Sequence, residues 1–264
     1  MLRSLEIIIE LSLLLQKILF VLKLKHMFIV RPVLLYVTLN IIVVGALANA
    51  KERVLYIGDS HTVGSFGTKL EDLLNQSFDT EAVGSCGAIA RTYLRSLSTK
   101  CGFRHSRKNP SHIKDIRAKE YATPNIDDLV SETPDKILIA LGTNYLNSGE
   151  AAIKKDVADI LAKLPADSPC VWLGAPDIQS VQNKAKIDKV NSVLRSALEK
   201  TTCQFIDLKS LVSYPPSGGD GMHFSAKDGR QLAERVSPKI GKAFESVSKG
   251  LLTAPVKSKN TAAH

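Results

Sequence analysis

The chain has 264 residues, 44% of them hydrophobic and 23% charged, with 16 Gly and 11 Pro. This balance excludes collagen-like, low-complexity and disordered proteins and leaves room for one large domain or two small ones. Lys and Arg outnumber Asp and Glu by 35 to 26, and beyond Ala50 by 30 to 24. Such a charge steers anionic partners without indicating nucleic acid, and no zinc-finger or RNA-reader signature is present to indicate one.

The first 50 residues read as a targeting segment. Val33 to Leu47 is an apolar run preceded by Arg31 and followed by Ala48-Asn49-Ala50, the small-x-small pattern of a signal-peptidase site, so the mature chain is expected to begin at Lys51. A second apolar run, Ile7 to Leu22, is interrupted by Glu10, Gln16 and Lys17, and Met27 is an alternative start. Retention of residues 1–50 as a membrane anchor is the competing reading, and it implies membrane association. No Cys lies near the cleavage point, which argues against a lipoprotein.

From Lys51 onward, short β-rich runs alternate with helical patterns. Arg53 to Ile57 is a buried-strand run, and Thr68 to Leu74 carries helix-spaced apolar residues. Ala82 and Val83 form a short strand ending in the turn Gly84 to Gly87. The stretch from Arg91 to Pro124 breaks the alternation and reads as an irregular insertion. It carries Arg91, Arg95, Lys100, Arg104, Arg107, Lys108, His105 and His112, and is either a solvated loop pinned by a disulfide or a rim that attracts an anionic substrate. Lys136 to Leu141 is the clearest strand, followed by a helix over Ala151 to Leu164. Strands at Val171 to Leu173 and Phe205 to Leu208 flank a helix over Lys184 to Glu199. A last helix spans Ala226 to Val247, with Pro238 as a possible interruption, and residues 251–264 read as a disordered tail. Strand, helix, strand succession predicts a parallel sheet covered on both faces in a single domain over 51–250, because parallel neighbours require crossover connections.

All four cysteines lie in the mature part, and an even count in an oxidising compartment predicts two disulfides. Cys86 with Cys101 closes a short loop. Cys170 and Cys203 each open an apolar run and fit side by side at the starts of neighbouring parallel strands. The preferred pairing is therefore 86–101 and 170–203, with four buried free thiols as the alternative. No ligand spacing for zinc is present, so neither metal nor cofactor is expected.

Four short blocks carry chemistry. Strand one runs into Gly58-Asp59-Ser60, which sets Ser60 just beyond the carboxyl end of a central strand, where open α/β sheets place their sites; Asp and Ser there are also ordinary helix caps. In Asp220-Gly221-Met222-His223, three-residue spacing lets the carboxylate hold Nδ1 of the imidazole and leaves Nε2 for Ser60. Leu141-Gly142-Thr143-Asn144 delivers a side-chain N–H₂ donor at the end of the clearest strand, and Gly87 can offer its backbone N–H at close range.

With these blocks in this order, the sequence resembles the SGNH hydrolases, the GDSL esterase/lipase family, over most of residues 53–247. The resemblance implies a three-layer, flavodoxin-like α/β/α fold around a central parallel sheet. It also implies Ser60 as nucleophile, His223 as base, Asp220 as its orienter, and an oxyanion hole from the Ser60 and Gly87 N–H groups with the Asn144 side chain. The sequence departs from the family pattern at His61, where lipolytic members usually have Leu, at Thr143, where Gly is frequent, and at Cys86. His61 reads as a surface residue capping the helix, or as a contact for a sugar hydroxyl.

The resulting expectation is an exported serine esterase, periplasmic or secreted, that removes O-acyl groups, chiefly acetyl, from an envelope polysaccharide or peptidoglycan. His61, Ser85, Thr92 and Asn147 are expected to give the acyl site a polar border unsuited to a long hydrocarbon chain. The alternatives are a lysophospholipase or thioesterase, and a catalytically inactive carbohydrate-binding protein on the same fold.

Overall fold

The structure is a computed structural model that describes residues 51–117 and 119–253. The signal or anchor reading of residues 1–50 and most of the predicted tail fall outside the described residues. In chain order the first elements are β1 (Arg53–Gly58), α1 (Ser60–Val63), α2 (Ser65–Leu74) and β2 (Asp79–Ser85). Next come α3 (Ala90–Leu94), β3 (Ser98–Thr99), β4 (Gly102–Arg107), β5 (His112–Arg117), β6 (Tyr121–Ala122) and α4 (Ile126–Val130). The remainder is β7 (Lys136–Ala140), a 3₁₀ turn at Thr143–Tyr145, α5 (Glu150–Leu161), β8 (Cys170–Leu173), α6 (Val181–Leu198), β9 (Cys203–Ile206) and α7 (Ala226–Thr253).

Seven strands form one sheet in the order β5-β4-β2-β1-β7-β8-β9. The five from β2 to β9 are parallel, and β4 and β5 extend the β2 edge as antiparallel strands. Alternation along β1 explains the layers, since successive side chains point to opposite faces. Leu55 and Ile57 enter one core with Ile137, Ile139, Ile153, Val157, Trp172 and Leu194. Val54 and Tyr56 enter the other with Phe66, Leu70, Leu138, Val236, Ile240 and Phe244. Helices therefore cover both faces, as the three-layer expectation requires.

The final helix runs unbroken through Pro238 and reaches Thr253, three residues into the stretch read as tail. A proline inside a helix costs about 3 kcal/mol. Leu232, Val236, Ile240 and Phe244, at helical spacing, are all buried against the sheet, and each contributes roughly 1.5–3 kcal/mol. Burial outweighs the missing hydrogen bond.

The segment from Arg91 to Pro124 is not irregular. It supplies α3, the β4–β5 hairpin and the small β3–β6 ribbon. Four of its basic groups are engaged within the fold: Arg104 pairs with Glu71 at 3.1 Å, Arg107 with Glu132 at 3.1 Å and Asp79 at 3.3 Å, Arg91 with Asp156 at 3.2 Å, and His105 with Glu81 at 2.8 Å, while Arg95, Lys100, Lys108 and His112 are exposed. The His105 hydrogen bond, opposed by burial, leaves the Glu81 carboxyl below its ordinary range. Because β4 runs antiparallel to β2, with Arg107 opposite Glu81 and Phe103 opposite Ser85, Arg107 lies toward the amino ends of the parallel strands. The stretch is a hairpin pinned by the Cys86–Cys101 bridge rather than an irregular loop, and charges of β4 hold the sheet edge.

Both disulfides form as expected, Cys86–Cys101 and Cys170–Cys203. The second joins residues in direct register at the starts of β8 and β9.

Candidate active site

At the carboxyl end of β1 the chain turns without room for a side chain. A Cβ on Gly58 would lie 2.0 Å from the Thr62 Oγ1. Asp59 caps α1 by accepting the His61 N–H at 2.9 Å, and Ser60 is the first residue of that helix. Tyr93 fixes the turn from below, its buried hydroxyl lying 2.6 Å from the Gly58 carbonyl and 2.9 Å from that of Val83.

The loop between β9 and α7 brings Asp220 and His223 to this turn. Asp220 Oδ1 accepts the Met222 and His223 backbone N–H groups at 3.0 and 2.6 Å, and its Oδ2 lies 2.8 Å from His223 Nδ1. With the Nδ1 proton directed at the carboxylate, Nε2 is left as an acceptor for the Ser60 hydroxyl, at 2.7 Å. The hydrogen bond from His223, with the two backbone N–H groups, holds the Asp220 carboxyl well below the usual carboxylate range. Asp220, with its side chain 63% exposed, is an anion at neutral pH.

Asn144 sits in the 3₁₀ turn after β7. Its Nδ2 donates to the Ala88 carbonyl at 3.1 Å and lies 3.4 Å from Asp59 Oδ2, so one amide ties the turn after β2 to the Ser60 turn. Gly87, in that turn, has φ +78°, a conformation that favours glycine, and an added Cβ would meet nothing within 4 Å. Its neighbour Cys86 is bonded to Cys101, and the Cys86 N–H donates to the Gly102 carbonyl at 2.8 Å. Thr143, at the position where the SGNH pattern frequently has Gly, is buried. Ser60, Asp220 and His223 are therefore brought into one hydrogen-bonded line, and Asn144 links the Gly87 turn to it. Such a line can remove a proton from a hydroxyl at neutral pH.

The polar border expected from sequence is not there. His61, Ser85 and Thr92 are buried, Ser85 bonding Thr99 and Thr123, and Thr92 accepting the Ile89 N–H; only Asn147 is exposed, and it accepts from Lys186 at 3.2 Å. His61 is not a surface cap either: 7% exposed, it packs its ring 5.1 Å from that of His223, and its Nε2 has no partner among the described residues. Burial, with the neighbouring His223 adding to it, pushes its pKa down to about 3, so the ring is neutral. A small apolar cluster of Ala175, Ile178 and Ile187, with half-buried Leu146 and Met222, includes the residues two after Asn144 and immediately before His223.

Sequence reasoning missed three supports. Asp59 was legible only as a cap, whereas its carboxyl is buried and reaches Asn144. Tyr93 was invisible because its role rests on a hydrogen bond to the distant Gly58 carbonyl, and Tyr214 because its hydroxyl bonds backbone of an irregular loop that no periodicity marks. No cluster among the described residues has the ligands for a metal ion. Cavities of 460, 990 and 610 Å³ lie beside Cys203, Cys170 and Lys136, at the amino ends of the strands, and none is lined by the candidate residues.

No family profile matches the sequence, and no curated protein matches it. Solved structures do. Est24, a carbohydrate acetylesterase from Sinorhizobium meliloti, superposes with a TM-score of 0.53 at 15% identity over 74% of this chain and 100% of that one. A second carbohydrate acetylesterase family member from the same organism gives 0.52 at 16% identity, over 74% and 99%. The native M. smegmatis aryl esterase gives 0.52 at 14%, over 73% and 99%. This chain shares their fold. It is the three-layer fold that the resemblance to the SGNH hydrolases implies.

Proposed function

We propose that this chain is an exported serine esterase that removes O-acyl groups, chiefly O-acetyl, from an acylated carbohydrate such as an envelope polysaccharide or peptidoglycan. The observation that carries the reading is the line Ser60–His223–Asp220, with 2.7 and 2.8 Å between successive partners. In this reading His223 Nε2 takes the Ser60 proton as Oγ attacks the ester carbonyl, and Asp220 stabilises the imidazolium so formed. The charge that develops on the carbonyl oxygen is met by the N–H groups of Ser60 and Gly87 and by the Asn144 amide. The imidazolium then protonates the departing sugar hydroxyl. Water, activated by His223 in its turn, releases the acid from the Ser60 ester.

Further observations support the compartment and the substrate class. Two disulfides fit an oxidising compartment, periplasmic or extracellular. His223 and Asp220 keep 39% and 63% of their side-chain surface exposed, an open setting suited to an ester carried on a polymer. Two of the similar structures are described as carbohydrate acetylesterases.

Release of acetate from O-acetylated glycans, together with kcat/KM for p-nitrophenyl esters from acetyl to octanoyl, tests this reading. Acetyl is expected to lead. Each methylene buried in an apolar channel would add about 0.8 kcal/mol, so a steady rise toward octanoyl would establish the lipolytic alternative instead.

A further inference from the structure

The segment that carries Asp220 and His223 has no regular secondary structure, and Gly218, Gly219 and Gly221 hold φ of +96°, +73° and +92°. A loop with three glycines in the left-handed region has much conformational freedom to lose. Something must select one arrangement, and the two catalytic side chains cannot do so by themselves, since both are substantially exposed.

The loop is wrapped around one hydroxyl. Tyr214 Oη lies 2.8 Å from the His223 carbonyl and 3.1 Å from that of Gly218, and it accepts the Gly221 N–H at 2.8 Å. The wrap is tight: a Cβ on Gly219 would stand 2.3 Å from this oxygen and 2.1 Å from the His223 carbonyl oxygen. Tyr214 is itself fixed. It is 6% exposed, packs its ring 5.0 Å from that of Phe224, and donates its backbone N–H at 2.8 Å to Oδ2 of Asp177. Asp177 is buried in the connection between β8 and α6, where Lys184 donates to the same oxygen at 2.9 Å. Burial raises the Asp177 carboxyl, but the hydrogen bonds from Lys184 and Tyr214 prevail and leave it below its ordinary range.

We propose that Tyr214 is the positioning residue of the Asp220–His223 pair: its hydroxyl, anchored through Asp177 and Lys184 to the body of the fold, sets the register of the loop and so the reach of His223 to Ser60. Tyr214 touches no substrate in this scheme. The inference rests on the esterase reading for its kinetic consequence, but not for its structural one.

The test is Tyr214→Phe, which keeps the ring and removes the hydroxyl, with Cys170→Ser/Cys203→Ser as a control destabilised at the far end of the sheet. Displacing a catalytic group by about an ångström costs on the order of 100-fold. Tyr214→Phe is therefore expected to lower kcat by roughly 10- to 100-fold with KM nearly unchanged. The disulfide control, matched in thermal stability or less stable, is expected to keep its kcat at 25 °C. The second readout needs no substrate: the His223 Nδ1 proton, held by Asp220, gives a downfield imidazole resonance in the parent, and Tyr214→Phe should broaden or lose it. A variant with parental kcat and an unaltered resonance would overturn the proposal. A parent that hydrolyses no ester defeats the esterase reading alone, because the resonance still reports whether Tyr214 holds the pair.

Discussion

The carboxyl of Asp59 and the side-chain amide of Asn144 stand 3.4 Å apart beside the Ser60 turn, although they are 85 residues apart in sequence. Asp59 is 2% exposed. Burial pushes its pKa up to about 7 from 3.8, against the opposing pull of the His61 N–H, the His223 charge and the Gly142 N–H.

A pH dependence of stability follows. Between about pH 4 and pH 7 the unfolded chain has released the Asp59 proton while the folded chain keeps it, so the contribution of this group to stability is full at low pH and is lost as pH rises through that window. Asp59→Asn cannot ionise. Its melting temperature is expected to gain on the parent's as pH rises from about 4 to 7 and to hold a constant difference above that. Parallel melting curves across the window would show that Asp59 ionises no differently in the two states.

Ser60→Ala and His223→Ala are each expected to lower kcat by roughly 10⁴- to 10⁶-fold without unfolding the protein. Asn144→Ala should cost less, on the order of 10²- to 10³-fold, the loss of one donor to a developing oxyanion. A serine-directed phosphonate should label Ser60 in the parent. Labelling of a different serine would displace Ser60 from its role.

His61→Leu should stabilise the fold. A buried polar atom without a partner costs about 1–3 kcal/mol, and Leu is of similar volume and has no such atom. We expect a higher melting temperature, with kcat changed by less than about tenfold since the neutral ring takes no part in proton transfer. A lower melting temperature would mean that the His61 Nε2 has a partner in solution.

Peptide mapping without reductant should recover Cys86 linked to Cys101 and Cys170 linked to Cys203. With sequence separations of 15 and 33 residues, each bridge is worth at most roughly 3–4 kcal/mol through its effect on the unfolded chain. Removing 86–101 should also lower kcat, because that bridge holds the residue beside Gly87. Removing 170–203 should affect stability alone.

What could be read in advance, and what could not, divides along a physical line. β1 and β7 announce themselves, because strands buried on both faces are continuous apolar runs, and Ser60 and Asn144 follow directly from where those strands end. Asp220 and His223 are three residues apart, so their pairing is local. β4 and β5, with sequences GFRHSR and HIKDIR, have no such run; β4 is held at the sheet by Glu71, Glu81 and Asp79, distant in sequence, which receive its basic residues, and β5 by its pairing with β4. The burial of His61 against His223 and the anchoring of Tyr214 to Asp177 depend in the same way on partners that only the folded chain brings near.

Ser60 and His223 are separated by 163 residues, and β2, β7, β8 and β9 all lie between them in the chain. No partial product of synthesis up to residue 222 can contain the base, whatever part of the sheet has already formed. A chain emerging amino end first would therefore carry its serine in an unactivated state until almost all of the sequence up to α7 had been delivered. On the reading proposed above, of an exported esterase, that order of assembly keeps ester cleavage from beginning before the chain is long enough to fold.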